Sequence, residues 1–401
     1  MFASITTLCL VSTAAPAAAA MPVATAEPAP QAQVRLLDEY VVPHGLQFEG
    51  TPVGGLSSID YDSRTGRFAF VSDDWSDYAP ARYYTADISL DESGIHDVDF
   101  TGVHSFHRPD GSTYPTIDEW RSAQHEVSPA QRDILGTVDP EELRLDPRSG
   151  QVAWTSEGQR NIPTQGGPED IERGTVLLDP ALRVSDADGA YVRDVRTAAN
   201  QKMTMGESGP RVNETFEGLT YAAGGTLLVS ALEGPLEQDP PSANAERGSY
   251  SRITVHSRAG GPLAQYAYPV EPLFATPRPP NDYNSNGISS LVAYDEHTPN
   301  RFLALERGFA SGVGTKGRVY EFSTAGASNV LHQHSLTDAP FRPVRKTLLF
   351  DLDDVGVART DNVEGITWGP PLPSGERTLL IVSDNNFSQN QKTQIIAVAV
   401  P

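Results

Sequence analysis

DNVEGITWG at residues 361–369, followed by RTLLIVSDNN at residues 377–386, is the stretch that decides the fold of this chain. Apolar and β-branched residues in both segments predict two strands, and the Pro- and Gly-containing segment 370–375 supplies the turn between them. The second strand ends in an acidic and amide-rich cluster. The stretch therefore predicts a β-hairpin with polar, charged groups at one end.

The same hairpin pattern occurs four more times earlier in the chain, each copy with two apolar strands joined by a turn. The copies are GLSSIDYD with FAFVSDD (55–74), ELRLD with VAWTSE (142–157), FEGLTY with LLVSALE (216–233) and NGISSL with FLALER (286–307). Aligned on Gly55, Glu142, Gly218, Gly287 and Gly365, the five hairpins follow one another at offsets of 87, 76, 69 and 78 residues. A period of this size, with one β unit in each repeat, indicates a radial repeat fold such as a β-propeller.

Each hairpin is followed by further strand-like runs, which would complete a four-stranded blade. These runs are 81–88 and 98–106 in the first unit, 174–178 and 190–195 in the second, 251–256 and 263–269 in the third, and 318–322 with either 330–334 or 346–352 in the fourth. The fifth unit has one such run at 393–400, and a strand predicted at 34–42 would supply its outer strand. Such pairing closes the ring and removes exposed sheet edges.

These patterns predict an all-β fold, namely a β-propeller of five four-stranded blades closed by the pairing of its N- and C-terminal strands. A sixth, poorly marked blade within the irregular stretch 109–140 is the alternative. Short helices are predicted at 116–125 and 129–135, in an insertion between the first two units.

The charge of the chain restricts its partners. The 401 residues include 52 acidic and 30 basic side chains, a formal net charge of −22. This field repels nucleic acid and anionic membranes and favours cations, so we expect neither a nucleic-acid nor a membrane partner. A merely solvated acidic surface explains the charge equally well. No apolar run beyond the N-terminal segment approaches the ~18 residues that span a bilayer.

Residues 1–26 are predicted to be a signal peptide. Residues 8–20 are apolar and Ala-rich, and the small residues Ala18 to Ala20 suit a signal peptidase. The absence of Lys and Arg from residues 1–4 speaks against this interpretation, and a disordered cytosolic tail is the alternative. We expect a secreted, extracellular protein.

The remaining chain divides into a Pro/Ala spacer at 27–33 and a propeller domain at 34–401. The single cysteine, Cys9, lies inside the predicted signal peptide. The secreted protein would therefore contain no disulfide bond.

Carboxylates recur at the ends of the hairpins, and they would meet around one mouth if the hairpins line the propeller axis. The candidates are Asp73, Asp74, Glu142, Glu157, Glu217, Glu233, Glu306, Glu364 and Asp384. A convergent cluster in low dielectric raises its own pKa values or binds a hard cation, and calcium accepts about six to eight oxygen ligands of these types. The alternative is that each carboxylate only terminates a strand and accepts hydrogen bonds within its own blade.

Several segments together resemble one known family. They are GLS (55–57), VSDD (71–74), ARYY (81–84), FEGLT (216–220), DNVEGITWGP (361–370) and SDNNF (383–387). They are similar to the secreted bacterial family known as "esterase-like activity of phytase" (phytase-like), over roughly residues 37–401. The resemblance implies a β-propeller and a hydrolase of phosphate esters or other esters. The well-understood propeller phytases hydrolyse phytate with calcium ions in an acidic mouth.

On this hypothesis the protein hydrolyses a small-molecule ester or phosphate ester with the help of a metal ion. Calcium would be held by Asp73, Asp74, Glu217, Glu233, Glu306, Glu364 and Asp384. The catalytic candidates are Glu217 and Glu364 at the metal, with Arg82 and Arg307 for phosphate oxygens. Planar guanidinium groups suit such bidentate contacts. The acidic chain opposes a polyanionic substrate unless the cation first reverses the local field, and we expect the protein to be a monomer.

Other hydrolase chemistries lack their motifs. GESGP at 206–210 ends in Pro where a nucleophile elbow needs Gly, and GVGTKG at 312–317 lacks the spacing of a phosphate-binding loop. His332 and His334 alternate on one predicted strand face without a third zinc ligand. The open alternative to an enzyme is a secreted propeller that binds a ligand or protein through its long loops and catalyses nothing.

Overall fold

A computed structural model describes residues 33–401; the predicted signal peptide, and all of the spacer except Gln33, lie outside the described residues. The described chain forms five four-stranded antiparallel sheets and two short two-stranded sheets. Each four-stranded sheet is one blade, so the all-β, five-bladed propeller predicted from the repeats is confirmed. No helix among residues 33–401 has the length and apolar character needed to cross a membrane.

The strands and helices are numbered in chain order. The strands are β1 (Arg35–Val41), β2 (Gln47–Phe48), β3 (Thr51–Pro52), β4 (Asp60–Asp62), β5 (Arg67–Ser72), β6 (Arg82–Asp91), β7 (Gly94–Ser105), β8 (Pro140–Leu145), β9 (Val152–Ser156), β10 (Gln159–Asn161), β11 (Val176–Leu178), β12 (Ala181–Ser185), β13 (Tyr191–Val195), β14 (Phe216–Ala222), β15 (Leu227–Leu232), β16 (Ser249–Ser257), β17 (Pro262–Val270), β18 (Asn284–Ala293), β19 (Arg301–Ala310), β20 (Gly314–Ser323), β21 (Arg345–Asp351), β22 (Asn362–Trp368), β23 (Arg377–Asp384) and β24 (Gln394–Val400). The helices are α1 (Ile117–Ala123), α2 (Arg132–Leu135) and α3 (Pro168–Gly174), with 3-10 turns at Gln124–Glu126, Pro129–Gln131 and Ala199–Gln201.

The blades follow the chain. Blade 1 contains β4 to β7, blade 2 contains β8, β9, β12 and β13, blade 3 contains β14 to β17, and blade 4 contains β18 to β21. Blade 5 contains β22, β23 and β24 with β1 as its outer strand. β1 pairs antiparallel with β24, from Arg35 opposite Ala399 to Val41 opposite Gln394. The predicted closure by N- and C-terminal strands is therefore confirmed.

The core lies between neighbouring blades, which explains the continuous apolar runs of the sequence. Strands in the middle of a blade are covered on both faces, and all seven residues of β24 are buried. The outer strand β1 is only partly buried. Apolar clusters join blade 5 to blade 1 on one side and to blade 4 on the other. Burial of this apolar surface is the main force that holds the ring together.

One of the predicted blade strands is wrong. The run 174–178 was expected to be a strand of blade 2, but β11 pairs with β10 in a separate two-stranded sheet, and β12 takes the place in the blade. Val176 and Leu178 leave the blade because they pack against the buried Trp120 of α1. In blade 4 the fourth strand is β21, the second of the two alternatives.

The stretch 109–140 contains no sixth blade in the described chain. It forms α1 and α2 at the two places where short helices were predicted, together with two 3-10 turns. α1 begins at a capping box, in which the Thr116 hydroxyl accepts from the Glu119 amide and the Glu119 carboxylate accepts from the Thr116 amide. This insertion packs against β11 through an apolar cluster around Trp120.

A buried arginine ties the five blades together near the axis. The Arg144 guanidinium, from blade 2, donates hydrogen bonds to the main-chain oxygens of Ile59 (2.7 Å), Leu219 (2.7 Å), Leu291 (3.0 Å) and Ile366 (2.9 Å). These four oxygens belong to blades 1, 3, 4 and 5. Its charge is balanced by Asp60 at 3.4 Å and Glu142 at 3.2 Å. We call Arg144, Asp60, Glu142 and Ser290 the axial plug.

Candidate functional site

The inner strands of four blades carry an irregularity at the same place. The pairing register shifts between Pro140 and Leu143, between Phe216 and Gly218, between Ile288 and Ser290, and between Val363 and Gly365. A β-bulge turns one side chain away from the ordinary alternation of the strand. In blades 2, 3 and 5 the bulges include Glu141, Glu217 and Glu364, and all three side chains line one cavity.

A glycine follows the bulged glutamate in blades 3 and 5 because the next blade approaches there. A Cβ atom on Gly365 would lie 2.8 Å from the Ser58 Cα atom and 2.8 Å from the Ile59 nitrogen. A Cβ atom on Gly218 would lie 2.9 Å from the Leu291 side chain. The Glu-Gly pairs of the sequence thus combine a carboxylate for the cavity with a close contact between blades.

The second strands of the hairpins deliver further charged groups to the same end of the ring. Asp73 follows β5, Glu157 follows β9, Glu233 follows β15, and Asp384 ends β23. Arg307 of β19 is the contribution of blade 4, and Asp139 immediately precedes β8. We call the following eight residues the mouth carboxylates: Asp73, Asp139, Glu141, Glu157, Glu217, Glu233, Glu364 and Asp384. The cavity at the mouth has a volume of about 460 Å³.

Burial and mutual repulsion change the acidity of these groups. Burial is the largest cause, and it raises the pKa of Glu364 to about 8, of Glu157 to about 7 and of Asp384 to about 6. The pKa of Glu217 is raised well above its ordinary value by burial and then by Glu233 and Glu157. The pKa values of Asp73, Asp139 and Glu141 are likewise raised well above the ordinary range. Such carboxyl groups hold protons that an exposed carboxylate has lost.

Arg307 is the counter-charge of the mouth. Its Nη2 atom lies 2.8 Å from Glu233 Oε1 and 3.6 Å from Glu364 Oε1. Burial by itself lowers the pKa of Arg307, but Glu233, Glu364 and Glu217 raise it above its ordinary value, so the group stays charged. Its Nε atom is buried and has no hydrogen-bond partner among residues 33–401.

Six of the mouth carboxylates form two groups suited to a cation. Asp73, Glu364 and Asp384 offer oxygens that lie within 4.8 Å of one another, and Asp139, Glu141 and Glu157 do the same. In the described chain one buried oxygen on each of Glu364, Asp384 and Asp139 lacks a hydrogen-bond partner. Buried, unpartnered carboxylate oxygens are costly unless a cation or water satisfies them. Both groups are therefore compatible with a bound metal ion that prefers oxygen ligands.

The rim of the cavity is aromatic. It includes Trp75, Tyr78, Tyr283, Phe309 and Phe387, with amide side chains from Asn213, Asn362, Asn386 and Gln391. Tyr78 stacks on Phe387 with ring centroids 4.4 Å apart, and Tyr283 lies 5.9 Å from Phe309. Tyr78 and Tyr283 each expose 63% of their surface, although aromatic rings usually favour burial.

The structure brings six of the predicted site residues to the mouth. They are Asp73, Glu217, Glu233, Glu364, Asp384 and Arg307.

Three other predicted residues are engaged elsewhere. Arg82 is fully buried and forms an ion pair with Asp74, so its guanidinium faces protein groups. It also donates to the Tyr84 hydroxyl at 2.6 Å and to the Pro52 oxygen at 2.9 Å. Asp74 borders the cavity, but one of its oxygens is occupied by Arg82.

Glu306 points away from the mouth although Arg307 points into it, because successive residues of a strand face opposite sides. Glu306 pairs with Lys346 and accepts a hydrogen bond of 2.9 Å from the Tyr268 hydroxyl. The geometry therefore does not bring Arg82, Asp74 or Glu306 into either three-carboxylate group.

The structure adds Asp139 and Glu141 to the site, confirms Glu157 among the carboxylates expected at the mouth, and places Glu142 in the axial plug instead. Glu157 stands at the end of the second hairpin, where Glu233 ends the third, so its position in the repeat indicates its role. Glu141 precedes Glu142 as Glu217 precedes Gly218 and as Glu364 precedes Gly365. The repeat alignment itself thus marks Glu141. Asp139 lies before β8 and carries no repeat signal.

A family model described as "Phytase-like: Esterase-like activity of phytase" matches residues 51–387 of the chain. A comparison with curated proteins gives no match.

Several solved structures match the chain at low sequence identity. The periplasmic gluconolactonase of Pseudomonas aeruginosa is 10% identical, with 87% of each chain covered and a TM-score of 0.32. A glucose dehydrogenase is 14% identical over 89% of this chain and 84% of its own, with a TM-score of 0.37. A GH43 β-1,3-galactosidase is 10% identical over 89% of this chain and 93% of its own, with a TM-score of 0.41. At these TM-scores the likeness carries no argument about activity.

Proposed function

The chain belongs to the Phytase-like family, described as esterase-like activity of phytase, and from this premise we propose that it is a calcium-assisted hydrolase of phosphate esters or other small-molecule esters. The observation that carries the proposal is the mouth, where all five blades place charged side chains around one cavity of about 460 Å³. Such a set of buried, mutually repelling carboxylates is costly to fold and is typical of a functional site.

Two groups of residues would hold the cation. Asp73, Glu364 and Asp384 form one, and Asp139, Glu141 and Glu157 form the other. The buried oxygens of Glu364, Asp384 and Asp139 that lack partners in the described chain support this assignment. A divalent cation bound there would offset the negative charge of the substrate and polarise an attacking water.

Glu217 is proposed to be the general acid of the reaction. It extends from the β14 bulge into the cavity, and its pKa is raised well above the ordinary value by burial and by Glu233 and Glu157. A carboxyl group that keeps its proton under these conditions can donate it to the leaving oxygen of an ester. Glu364 is left out of this role because a carboxylate that holds a divalent cation is deprotonated.

Arg307 is proposed to bind a substrate oxygen. Its guanidinium is held by Glu233 at 2.8 Å, while its Nε atom has no partner among residues 33–401. A charged, planar donor fixed in this way suits a phosphoryl or carboxyl oxygen. We leave Arg82 and Glu306 out of the proposed mechanism because each is committed to a buried ion pair.

The proposal includes secretion and a monomeric state. Secretion rests on the sequence of residues 1–26, which lie outside the described residues. N-terminal sequencing of the mature protein and size-exclusion chromatography test these two statements directly.

The activity is tested on a panel of phosphate monoesters and carboxylate esters, with calcium or with a chelator. We expect hydrolysis that depends on calcium and that falls at least about 100-fold in Glu217→Gln, the range expected for loss of a general acid or base. Glu246→Gln, an exposed acidic residue outside the mouth, is the matched control and should hydrolyse like the native protein. Hydrolysis that is insensitive to chelator and to Glu217→Gln would place the reaction elsewhere. No hydrolysis of any ester would favour a propeller that only binds ligands.

A further inference from the structure

The rim of the mouth is aromatic, whereas the mouth carboxylates are charged. This difference in chemistry indicates which kind of substrate fits the cavity. We infer that the substrate carries a single reacting ester group on a flat, ring-shaped organic part, and is not a polyphosphorylated molecule. The ring part would lie against the aromatic rim, and the ester group would reach the mouth carboxylates. This inference rests on the proposed function and narrows it.

The charges of the mouth disfavour a polyanion. Among the residues that line the cavity, Arg307 is the single basic side chain, and Glu233 already binds it at 2.8 Å. Eight carboxylates surround it. If Glu217 keeps its proton as proposed, the other seven mouth carboxylates still outnumber the five positive charges that two divalent cations and Arg307 would supply, so the mouth would stay negative when both cation sites were filled. A polyphosphate would need further cations or further Arg and Lys side chains to offset its charge, and among the described residues that line this cavity Arg307 is the single basic one.

The rings are placed to receive a flat substrate. Tyr78 and Phe387 come from blades 1 and 5, and their rings stack at 4.4 Å with an interplanar angle of 25°. Tyr283 and Phe309 come from blade 4. Both pairs line the cavity together with Glu364. The exposed rings of Tyr78 and Tyr283 offer faces on which an aryl group or the apolar face of a saturated ring can stack.

The rim is held in a strained backbone. Seven residues other than glycine have positive φ in the described chain, and four of them line this cavity: Trp75 (47°), Asn213 (57°), Asn386 (46°) and Phe387 (50°). Bulky residues in this region cost energy, and such residues cluster at functional sites.

Two glycines beneath the Phe387 ring hold it in position. A Cβ atom on Gly55 would lie 2.6 Å from that ring, and one on Gly54 would lie 2.9 Å from it. Gly55 also has a φ of +60°, which favours glycine. The fold thus fixes an aromatic ring at the edge of a polar cavity, as a binding surface requires.

The inference is tested by binding, which does not require turnover. Isothermal titration calorimetry of the full chain with calcium would compare phenylphosphonate, cyclohexylphosphonate and methylphosphonate, and separately benzoate and acetate. Inositol hexakisphosphate is the polyanionic probe. We expect each ring-bearing anion to bind about 10-fold more tightly than its methyl counterpart, from stacking on the rim. Comparing the phosphonate probes with benzoate and acetate shows whether the mouth prefers phosphate esters or carboxylate esters.

Variants assign the preference to the rim. Tyr78→Ala and Tyr283→Ala should each lower the preference for the ring about 3-fold, whereas Tyr78→Phe should keep it. Leu263→Ala, at an exposed apolar residue of β17 outside the cavity, is the control and should change nothing. A ring preference that survives both Tyr→Ala variants would overturn the inference. So would equal binding of ring and methyl probes, or tightest binding of inositol hexakisphosphate.

The titration also separates this inference from the proposed function. Ring preference that persists when calcium does not bind and no ester is hydrolysed would retain the inference and refute the hydrolase. Calcium-dependent hydrolysis without ring preference would retain the hydrolase and refute the inference.

Discussion

The axial plug and the mouth are built from the same inner strands, yet they treat buried charge in opposite ways. In the plug, Arg144 contacts main-chain oxygens of four blades, and both carboxylates are fully hydrogen-bonded. Asp60 accepts from Arg144, Thr367 and the Leu145 amide. Glu142 accepts from Arg144, Ser290 and the Leu143 amide. In the mouth, eight carboxylates face one arginine, and several buried oxygens have no partner in the described chain.

This difference separates stability from function within one repeated unit. A buried charge whose hydrogen bonds are complete holds neighbouring blades in register, and its removal leaves polar groups unpaired. A buried charge without partners destabilises the folded protein until a ligand satisfies it. The plug should therefore lose stability when it is mutated, whereas the ligand-free mouth should gain it.

The largest effect is expected from the plug. Arg144→Met removes the contacts to four blades and leaves Asp60 and Glu142 without their cation. We expect a loss of about 3–5 kcal/mol in the free energy of unfolding, measured by urea denaturation. Arg67→Ala, at an exposed arginine of β5, is the control and should change stability by less than about 0.5 kcal/mol. A plug variant as stable as this control would contradict the structural role of Arg144.

A smaller effect is expected from pH in the presence of a chelator. The pKa of Glu364 is raised from 4.5 to about 8 and that of Glu157 from 4.5 to about 7 in the folded protein. Between these limits the folded protein binds more protons than the unfolded chain, so its stability falls as the pH rises. From pH 5 to pH 8 we expect a loss on the order of 1–3 kcal/mol from the mouth.

Thermal melts across this pH range, with chelator throughout, measure the slope. The double variant Glu364→Gln/Glu157→Gln should show a flatter profile than the native protein. A native profile that rises from pH 5 to pH 8, or one that the double variant leaves unchanged, would show that these carboxyl groups are not the cause.

The smallest effect is expected from one mouth carboxylate. Glu217→Gln removes a group that is crowded by Glu233 and Glu157. In chelator at pH 8 we expect this variant to be about 0.5–2 kcal/mol more stable than the native protein, the usual gain when a functional but strained group is removed. The result is read by urea denaturation beside Glu246→Gln, the exposed control. A loss of stability would mean that Glu217 is structurally paired.

The propeller could be predicted from the sequence because its signals are repeated. Five apolar hairpins predict five blades, with a sixth left open at 109–140, and the strand predicted at 34–42 identifies the closure. The strands of the second unit are harder to predict, because a short apolar run such as 176–178 can pack under a helix as well as it can form a blade strand. Only the buried contact of Val176 and Leu178 with Trp120 decides between the two.

The site could be predicted in part, and the limits have physical causes. The sequence pattern aligns the first and fourth hairpins on Gly55 and Gly287. The main-chain oxygens bound by Arg144 instead follow Ser58, Gly218, Ser290 and Gly365, which are therefore the equivalent positions. This places Ser57 and Ser289 where other blades have Glu141, Glu217 and Glu364, so blades 1 and 4 supply no carboxylate at that position. Pairing such as Arg82 with Asp74 depends on contacts between loops, which the repeat pattern does not contain.

Calcium binding measured as a change in thermal stability tests the central claim most directly, namely that the mouth carboxylates hold a cation. In the native protein we expect calcium at 100 times its dissociation constant to stabilise the folded state by about 2.7 kcal/mol relative to chelator. Glu364→Gln/Asp384→Asn should lose the share of this shift that comes from its own three-carboxylate group, while Glu246→Gln should retain the whole shift. A native protein that melts at the same temperature with calcium and with chelator, or a double variant with the native shift, would contradict the account.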